Sequence, residues 1–516
     1  MNGSTFTGSI KPNSSTSSLT STTVNIDSDS YWYVLDNSSI NYLHNSGIVE
    51  FESPASSSIT EKYKSINLNS YIGNGGSLII NTYVEQTGSP SDQIILNNGG
   101  NASGTTEIYV NKRGGLGAET IGKGILVINA NNNATTSSDS FSLGQPVTAG
   151  AYNYQLYRNN DQSWYLTTNI NPNPSPEPDP QPDYSEEPYA VAALPSLAQY
   201  YGLTTLGSRR ERIGFDSFHN NSKNSIFWGR MSHNNGKHNG GFKYSPEFNS
   251  VAYTPNYNYN INFLQIGVDL LNLRKRNSDI KSGLFFTTGI IESDIRSYYE
   301  NNKTLNQTTS KSKIKNNAIG AYWSKLYDSG SYIDIAGQYI HHRLEAKGES
   351  DNLFTKGHSW VLSAEAGYSY KLSDKLDLIP QAQIKYQSVA FNPKKSYARN
   401  IHIATYDFDK NKALQSRIGL EINYNNDKDY KIWSRIDFLH EFNGENKVLY
   451  KPLNYSPQNP QFISARKGNS FDFMLGADIA LKSGISLYTS SGYQKGLSDR
   501  NKGSSWFINA GVKWNF

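Results

Sequence analysis

The chain has 516 residues, a formal net charge of +4, no cysteine, 36 tyrosines and a mean hydropathy of −0.61. That length leaves room for two or three domains. The composition excludes disulfides, zinc–thiolate sites and cysteine nucleophiles, and the charge is too small to point to nucleic acid. No apolar run approaches the roughly 18 residues of a membrane-spanning helix, which excludes a helical membrane protein but not a barrel, whose strands are about half apolar.

Residues 1–168 are rich in Ser, Thr, Asn and Gly. They carry short β-branched runs such as Ser77-Leu78-Ile79-Ile80, Gln93-Ile94-Ile95-Leu96 and Gly124-Ile125-Leu126-Val127-Ile128. Many short strands between Gly and Asn turns predict an all-β element. A parallel β-helix fragment fits best, because rungs that bury little alone gain a core by stacking; a β-sandwich is the alternative. The start, Met1-Asn2-Gly3-Ser4-Thr5, has neither a basic segment nor an apolar one, so no signal peptide is visible and the sequence is expected to be a piece of a longer protein.

Residues 169–188 read as a linker. Pro172, Pro174, Pro176, Pro178, Pro180 and Pro182 occupy alternate positions, which blocks helix and sheet alike. A helix follows, from about Leu194 to Arg212, with Pro195 in its first turn and Leu197, Ala198, Tyr201 and Leu206 as its apolar positions. Arg209, Arg210 and Arg212 crowd its end, and Gly202 and Gly207 weaken it, so it needs surrounding protein to hold it.

From Ser225 onward apolar and polar residues alternate in segment after segment. Trp360, Leu362, Ala364, Ala366, Tyr368 and Tyr370 interleave with Ser363, Glu365, Gly367 and Ser369. Leu414, Ile418, Leu420, Ile422 and Tyr424 interleave with Gln415, Arg417, Gly419, Glu421 and Asn423. Twelve such strands are expected, starting near 225, 259, 281, 317, 331, 357, 376, 413, 430, 468, 484 and 504. Long connections (237–258, 294–316, 344–356, 389–412, 442–467) alternate with short ones (272–280, 327–330, 372–375, 425–429, 482–483). Polar-in, apolar-out strands with one long-loop and one short-loop rim predict an antiparallel transmembrane β-barrel rather than a soluble sandwich. The last strand alternates through Trp506, Ile508, Ala510, Val512, Trp514 and Phe516 and so ends at the short-loop rim. With twelve strands the first begins there too, and a plugging helix enters from that rim, leaving residues 1–188 outside the cell.

This order resembles the type V secretion autotransporters. Gly150-Ala151-Tyr152-Asn153-Tyr154-Gln155-Leu156, Trp164-Tyr165-Leu166, Ser91-Asp92-Gln93 and Ala102-Ser103-Gly104 look like the end of a pertactin-like passenger. Leu194-Pro195-Ser196, Leu206-Gly207 and Glu211-Arg212-Ile213-Gly214 look like the pore helix, and Trp228-Gly229-Arg230 and Gln265-Ile266-Gly267-Val268-Asp269-Leu270 like barrel strands. The resemblance implies a passenger remnant over 1–168 with a folding module at about 65–168, a linker over 169–188, a pore helix over 189–214 and a translocator barrel over 215–516. It implies a chain that displays or secretes its own passenger at the surface of the bacterial outer membrane. Its expected partners are outer-membrane lipid, the barrel assembly machinery, periplasmic chaperones and a host or cell-surface ligand, with no cofactor and no nucleic acid. Trp514 and Phe516 are the expected assembly signal. A barrel-anchored adhesin and a passive helix-plugged pore are the alternatives.

The chain is not expected to be an enzyme. Some family members cleave the passenger inside the pore with lumen acids, for which Asp269, Asp334, Glu365 and Glu421 are the candidates. The plainer expectation is that these acids pair with Arg209, Arg210, Arg212, Arg417 or Arg435. The Asn-Asn cleavage motif of the secreted-protease subgroup is absent from 189–214. His44 is the only histidine before residue 219 and no Gly-x-Ser-x-Gly occurs, so a triad is not expected. His341-His342 are expected at a solvated rim, not at a metal site. Arg274-Lys275-Arg276, in the first short turn, reads as solvated, with lipid phosphate as the sharper alternative.

Overall fold

In the computed structural model all residues are described except 1, 12–20, 57–61, 170–182, 216–225, 240–241, 246–249, 254, 297–308, 348–351, 399–400, 410, 427–429, 454–459, 482–483, 499–501 and 516. Most of the expected linker therefore lies outside the described residues. The chain divides into two compact units, Met1–Ser185 with Pro452–Gln458, and Glu186–Lys451 with Asn459–Phe516.

The first unit is a stack of parallel strands. Tyr31–Val34 pairs with Ile48–Phe51, which pairs with the long strand Ser65–Tyr83, which pairs with Gln93–Gly114. The register places like on like: Trp32, Val49, Leu78 and Ile108 form one inward ladder, and Ile80 lies on Val110. All these side chains are buried, so each rung lends its neighbour the apolar contact that it cannot make alone. Parallel pairing favours stacked rungs over the β-sandwich alternative, whose two sheets are antiparallel. The stack ends in antiparallel strands: Tyr152–Arg158 pairs with Trp164–Thr167, which runs antiparallel to Ile125–Ala130. The buried carboxylate of Asp92 is satisfied by backbone donors. Asp92 accepts from the backbone N–H of Lys64 (2.7 Å) and of Asn81 (2.8 Å). His44 is half-buried on the outer face, between the inward Leu43 and Asn45.

The second unit is a closed twelve-stranded antiparallel barrel. Its strands are Ile226–Asn239, Asn256–Lys275, Ser278–Arg296, Thr309–Tyr327, Tyr332–Lys347, Asn352–Gly367, Leu376–Phe391, Asn411–Asn426, Tyr430–Glu441, Gly468–Ala480, Ile485–Gly496 and Lys502–Asn515. The first closes on the last, with Phe227 opposite Trp514 and Met231 opposite Ala510. Outward residues are large and apolar, such as Met231, Ile319, Leu362 and Ile418. The inward positions between them are polar and buried, such as Arg230, Gln338, Glu365 and Arg417. Alternation forces this, because neighbouring side chains of a strand point to opposite faces.

The long-loop rim differs from expectation. Its connections are not plain loops but build a six-stranded sheet, in the order Phe242–Ser245, Ser250–Tyr253, Gln461–Ala465, Glu445–Pro452, Ile401–Phe408, Lys394–Ala398. Tyr406, Val448, Tyr450 and Phe462 are buried in it. The flanking strands run to Lys347 and start at Asn352, so they take up most of the connection expected over 344–356.

Candidate functional site: a helix seated in the barrel

Helix α1, Glu186–Leu206, is buried on nearly every side chain. Here lies the main correction to the sequence reading. The helix starts well before Leu194, and Pro195 sits inside it rather than in the first turn. An internal proline costs a helix one hydrogen bond and a steric clash, which the surrounding wall offsets by packing. A helix buried all round has no polar stripe to mark its limits. Leu194, Pro195, Leu197, Tyr201 and Leu206 are all buried. Gly207, at φ 58°, ends α1 in the left-handed region that glycine alone takes without strain. Arg209, Arg210 and Arg212 belong to a second short helix, α2, Arg209–Ile213. Ser208 caps it, and the carboxylate of Glu211 returns to the Ser208 N–H at 2.9 Å, forming a capping box.

The barrel wall supplies what the helix end lacks. The last carbonyls of a helix have no partner within it. Gln338 donates to the carbonyl of Gly202 (3.0 Å) and Lys385 to that of Leu203 (3.2 Å). Arg230 (2.5 Å) and Gln265 (3.3 Å) donate to the carbonyl of Thr205, and Gln383 (2.9 Å) to that of Gly207. Two of these donors are cations, the charge that a helix C-terminus favours. Nearer the N-terminus, Asn446 and Ser464 of the long-loop sheet form a buried polar cluster with Ser196 and Gln199, including Gln199 Nε2 to Asn446 Oδ1 at 2.9 Å. Ser396 of the same sheet donates to Glu187 (2.6 Å). The helix therefore has its N-terminus at the long-loop rim and its C-terminus toward the short turns.

Around α2 charges meet in pairs. Arg212 Nη2 reaches both oxygens of Asp334 (2.7 and 2.8 Å). Arg210 Nε donates to Glu421 (3.1 Å), and Arg210 Nη2 donates to Asn423 (3.0 Å). Glu365 accepts from the Arg209 N–H (3.0 Å), lies 3.2 Å from Arg417 and accepts from Tyr332 (2.6 Å). Arg435 lies between Asp437 (2.8 Å), Glu211 (3.4 Å) and Glu421 (3.9 Å). Of the four expected lumen acids, three face arginines; Asp269 is instead held by the hydroxyl of Tyr322. Glu211, Asp437 and Asp478, which accepts from the Phe215 N–H at 2.7 Å, are not singled out by the sequence, although Arg435-Ile436-Asp437 places two charges on one strand face. The Ser208-Arg209-Arg210-Glu211 spacing is a capping-box signature.

The pair His341-His342 needs correction. His342 is fully buried in the lumen wall, with Nδ1 2.5 Å from Asn316 Oδ1 and Nε2 2.8 Å from Ser359 Oγ. Inward alternation places it there, which a rim assignment from position alone could not tell. Among the described residues no cluster of His, Asp and Glu has the makings of a metal site. In the first short turn Arg274 is exposed and pairs with Asp328 (2.8 and 2.9 Å). Trp514 is exposed on the outer wall, and Phe516 lies outside the described residues.

Two family models match. The one described as Autochaperone Domain Type 1 covers residues 38–156, and the one described as Autotransporter beta-domain covers residues 227–492. The chain is 30% identical over 226 residues to the serine protease EspP of Escherichia coli O157:H7, covering 42% of this chain and 15% of that protein. It is 29% identical over 252 residues to the serine protease EspC of Escherichia coli O127:H6, covering 47% and 17%. It is 25% identical over 415 residues to the adhesin BmaC autotransporter of Brucella suis biovar 1, covering 73% and 11%. The chain thus spans less than a fifth of the length of these relatives, and its likeness to the proteases falls in their β-domain and autochaperone regions.

Proposed function

The chain belongs to the autotransporter family, and from that premise we propose that its working unit is the barrel with α1 and α2 seated inside it. The barrel lies in the bacterial outer membrane and displays the N-terminal region at the cell surface. In this reading residues 1–168 are the passenger remnant with its folding module, 169–188 the linker, 189–214 the pore helix and 215–516 the translocator. The observation that carries it is the capture of the α1 C-terminal carbonyls by Gln338, Lys385, Arg230, Gln265 and Gln383. A wall so equipped is built to hold a helix rather than to pass solutes. Leu194, Pro195, Leu197, Tyr201 and Leu206 fill the lumen, while Arg209, Arg210 and Arg212 anchor the inner end.

Asp269, Asp334, Glu365 and Glu421 serve in this reading as counter-charges and tyrosine acceptors rather than as cleavage catalysts, and the chain itself is not an enzyme. Trp514 and Phe516 are read by the assembly machinery, with periplasmic chaperones acting before insertion. The adhesin relative supports a surface ligand for the passenger.

Three measurements test this. In planar bilayers a variant lacking 189–212 should conduct where the intact chain is closed; equal conductance contradicts plugging. Protease added to intact cells should cut within 169–188; an uncut N-terminal region sinks the outward topology. Deleting Phe516 should impair assembly far more than it disturbs barrels already folded.

A further inference from the structure

On the outer wall beside the second short turn lies a cavity of about 610 Å³ that the plug-and-barrel reading does not use. Its floor is made of small residues, Ala366, Gly367 and Ala382, and its sides of Tyr327, Tyr368 and Pro380. Farther along the same two strands the outward positions are filled by Trp360, Leu362, Ile384 and Tyr386, so the gap is local to this rim. Ala366, Tyr368 and Ala382 face outward, in the alternation that points Glu365 and Gln383 into the lumen. Tyrosines at one end of an apolar band mark the membrane–water interface. Tyr327, Tyr368 and Tyr370, the latter two with ring centroids 4.6 Å apart, place this cavity at that level.

A cation stands beside the cavity, next to two of its lining residues. Lys325 lies directly opposite Ile333, which lines the cavity, and its ammonium sits 4.8 Å over the ring of Tyr327. Its other cross-strand neighbour is Ile280, so no carboxylate faces it across the sheet. The Ser329 and Ser331 hydroxyls line the cavity on the turn side. Apolar walls bounded by an ammonium and hydroxyls match one occupant, an anionic amphiphile with its tail toward the bilayer centre and its phosphate at the water edge.

We propose that this cavity binds one phospholipid of the surrounding bilayer, its acyl chain over Ala366 and Ala382 and its phosphate at Lys325. The proposal rests on the membrane reading of the barrel. A bound lipid would fill the shortfall of side-chain volume on the outer wall and let Lys325 stay charged at the apolar boundary by pairing with phosphate.

The test uses the full chain, folded in detergent and stripped of lipid, with native mass spectrometry after adding dioleoylphosphatidylglycerol or the phosphate-free dioleoylglycerol. One phosphatidylglycerol should be retained per chain, at least tenfold more strongly than the diacylglycerol. Lys325→Gln should bring the two lipids to the same level. Ala366→Trp with Ala382→Trp should abolish retention of both, with heat-modifiable gel mobility confirming a folded barrel. If that double variant does not fold, Lys325→Gln decides alone. Retention unchanged in Lys325→Gln, or equal for both lipids in the unaltered chain, overturns the site. Absence of the chain from the outer-membrane fraction of cells would instead overturn the membrane reading, which separates the two failures.

Discussion

The parallel stack and the barrel use the same alternation turned inside out. In the stack, Trp32, Val49, Leu78 and Ile108 face inward on one another. In the barrel, Met231, Ile319 and Ile418 face outward, and arginines, carboxylates and glutamines face in. A strand records only that its two faces differ; the surroundings decide which face is the core. Against lipid the apolar face gains by turning out, and the polar face then needs partners, which α1 and α2 provide.

That contrast can be broken at four points, the first three from the largest expected effect to the smallest and the last a local response to pH. Asp334→Ala leaves the buried guanidinium of Arg212 without its carboxylate, and removing one partner of a buried pair costs about 3–5 kcal/mol. The loss should appear as a lowered thermal midpoint and increased conductance, and a double variant with Arg212→Ala should lose less than the sum. A barrel indifferent to Asp334→Ala would mean that water reaches Arg212. In the stack, Leu78→Ala removes a fully buried side chain and should cost about 2–5 kcal/mol, while Ile418→Ala on the exposed outer wall should stay within about 0.5 kcal/mol in detergent. Denaturant unfolding compares them, and equal losses would erase the inside-out distinction.

Ser208→Ala removes the cap of α2 and should cost about 1 kcal/mol, read as faster hydrogen exchange over 209–213 with α1 unchanged. The last point is confined to one carboxyl and concerns pH. Burial pushes the Asp183 carboxyl up to about 6, against the N–H donors of Gln155 and Asn153. A raised carboxyl favours the protonated folded form, so its contribution is complete below about pH 4 and is lost as pH rises through about 6. Hydrogen exchange at Tyr152–Arg158 should therefore speed up over that window, and Asp183→Asn should flatten the response.

How far the chain could be read follows from where the signals are local. Alternation is local, so each barrel strand shows itself within a few residues. The inward direction of Asp334, Glu365 and Glu421 follows from it at once. The strands of the long-loop sheet are short and lie in segments rich in Asn and Lys; they are held by neighbours far away in sequence, as Tyr253 is opposite Phe462. The start of helix α1 is not legible because its first turns, Glu186 to Ala193, carry no amphipathic stripe, and Pro195 has the look of a first-turn proline. The position of His342 near a strand end suggests a rim, but its strand continues to Lys347 and the side chain is buried.

By itself the sequence determined the strands and their polar and apolar faces, because the period of a strand is written into adjacent residues. Only the tertiary structure decided which acid meets which arginine, how the carbonyls of α1 are capped and why an internal proline is tolerated. Those outcomes depend on side chains brought together across the lumen from strands far apart in the chain, and no local pattern encodes a partner at that distance.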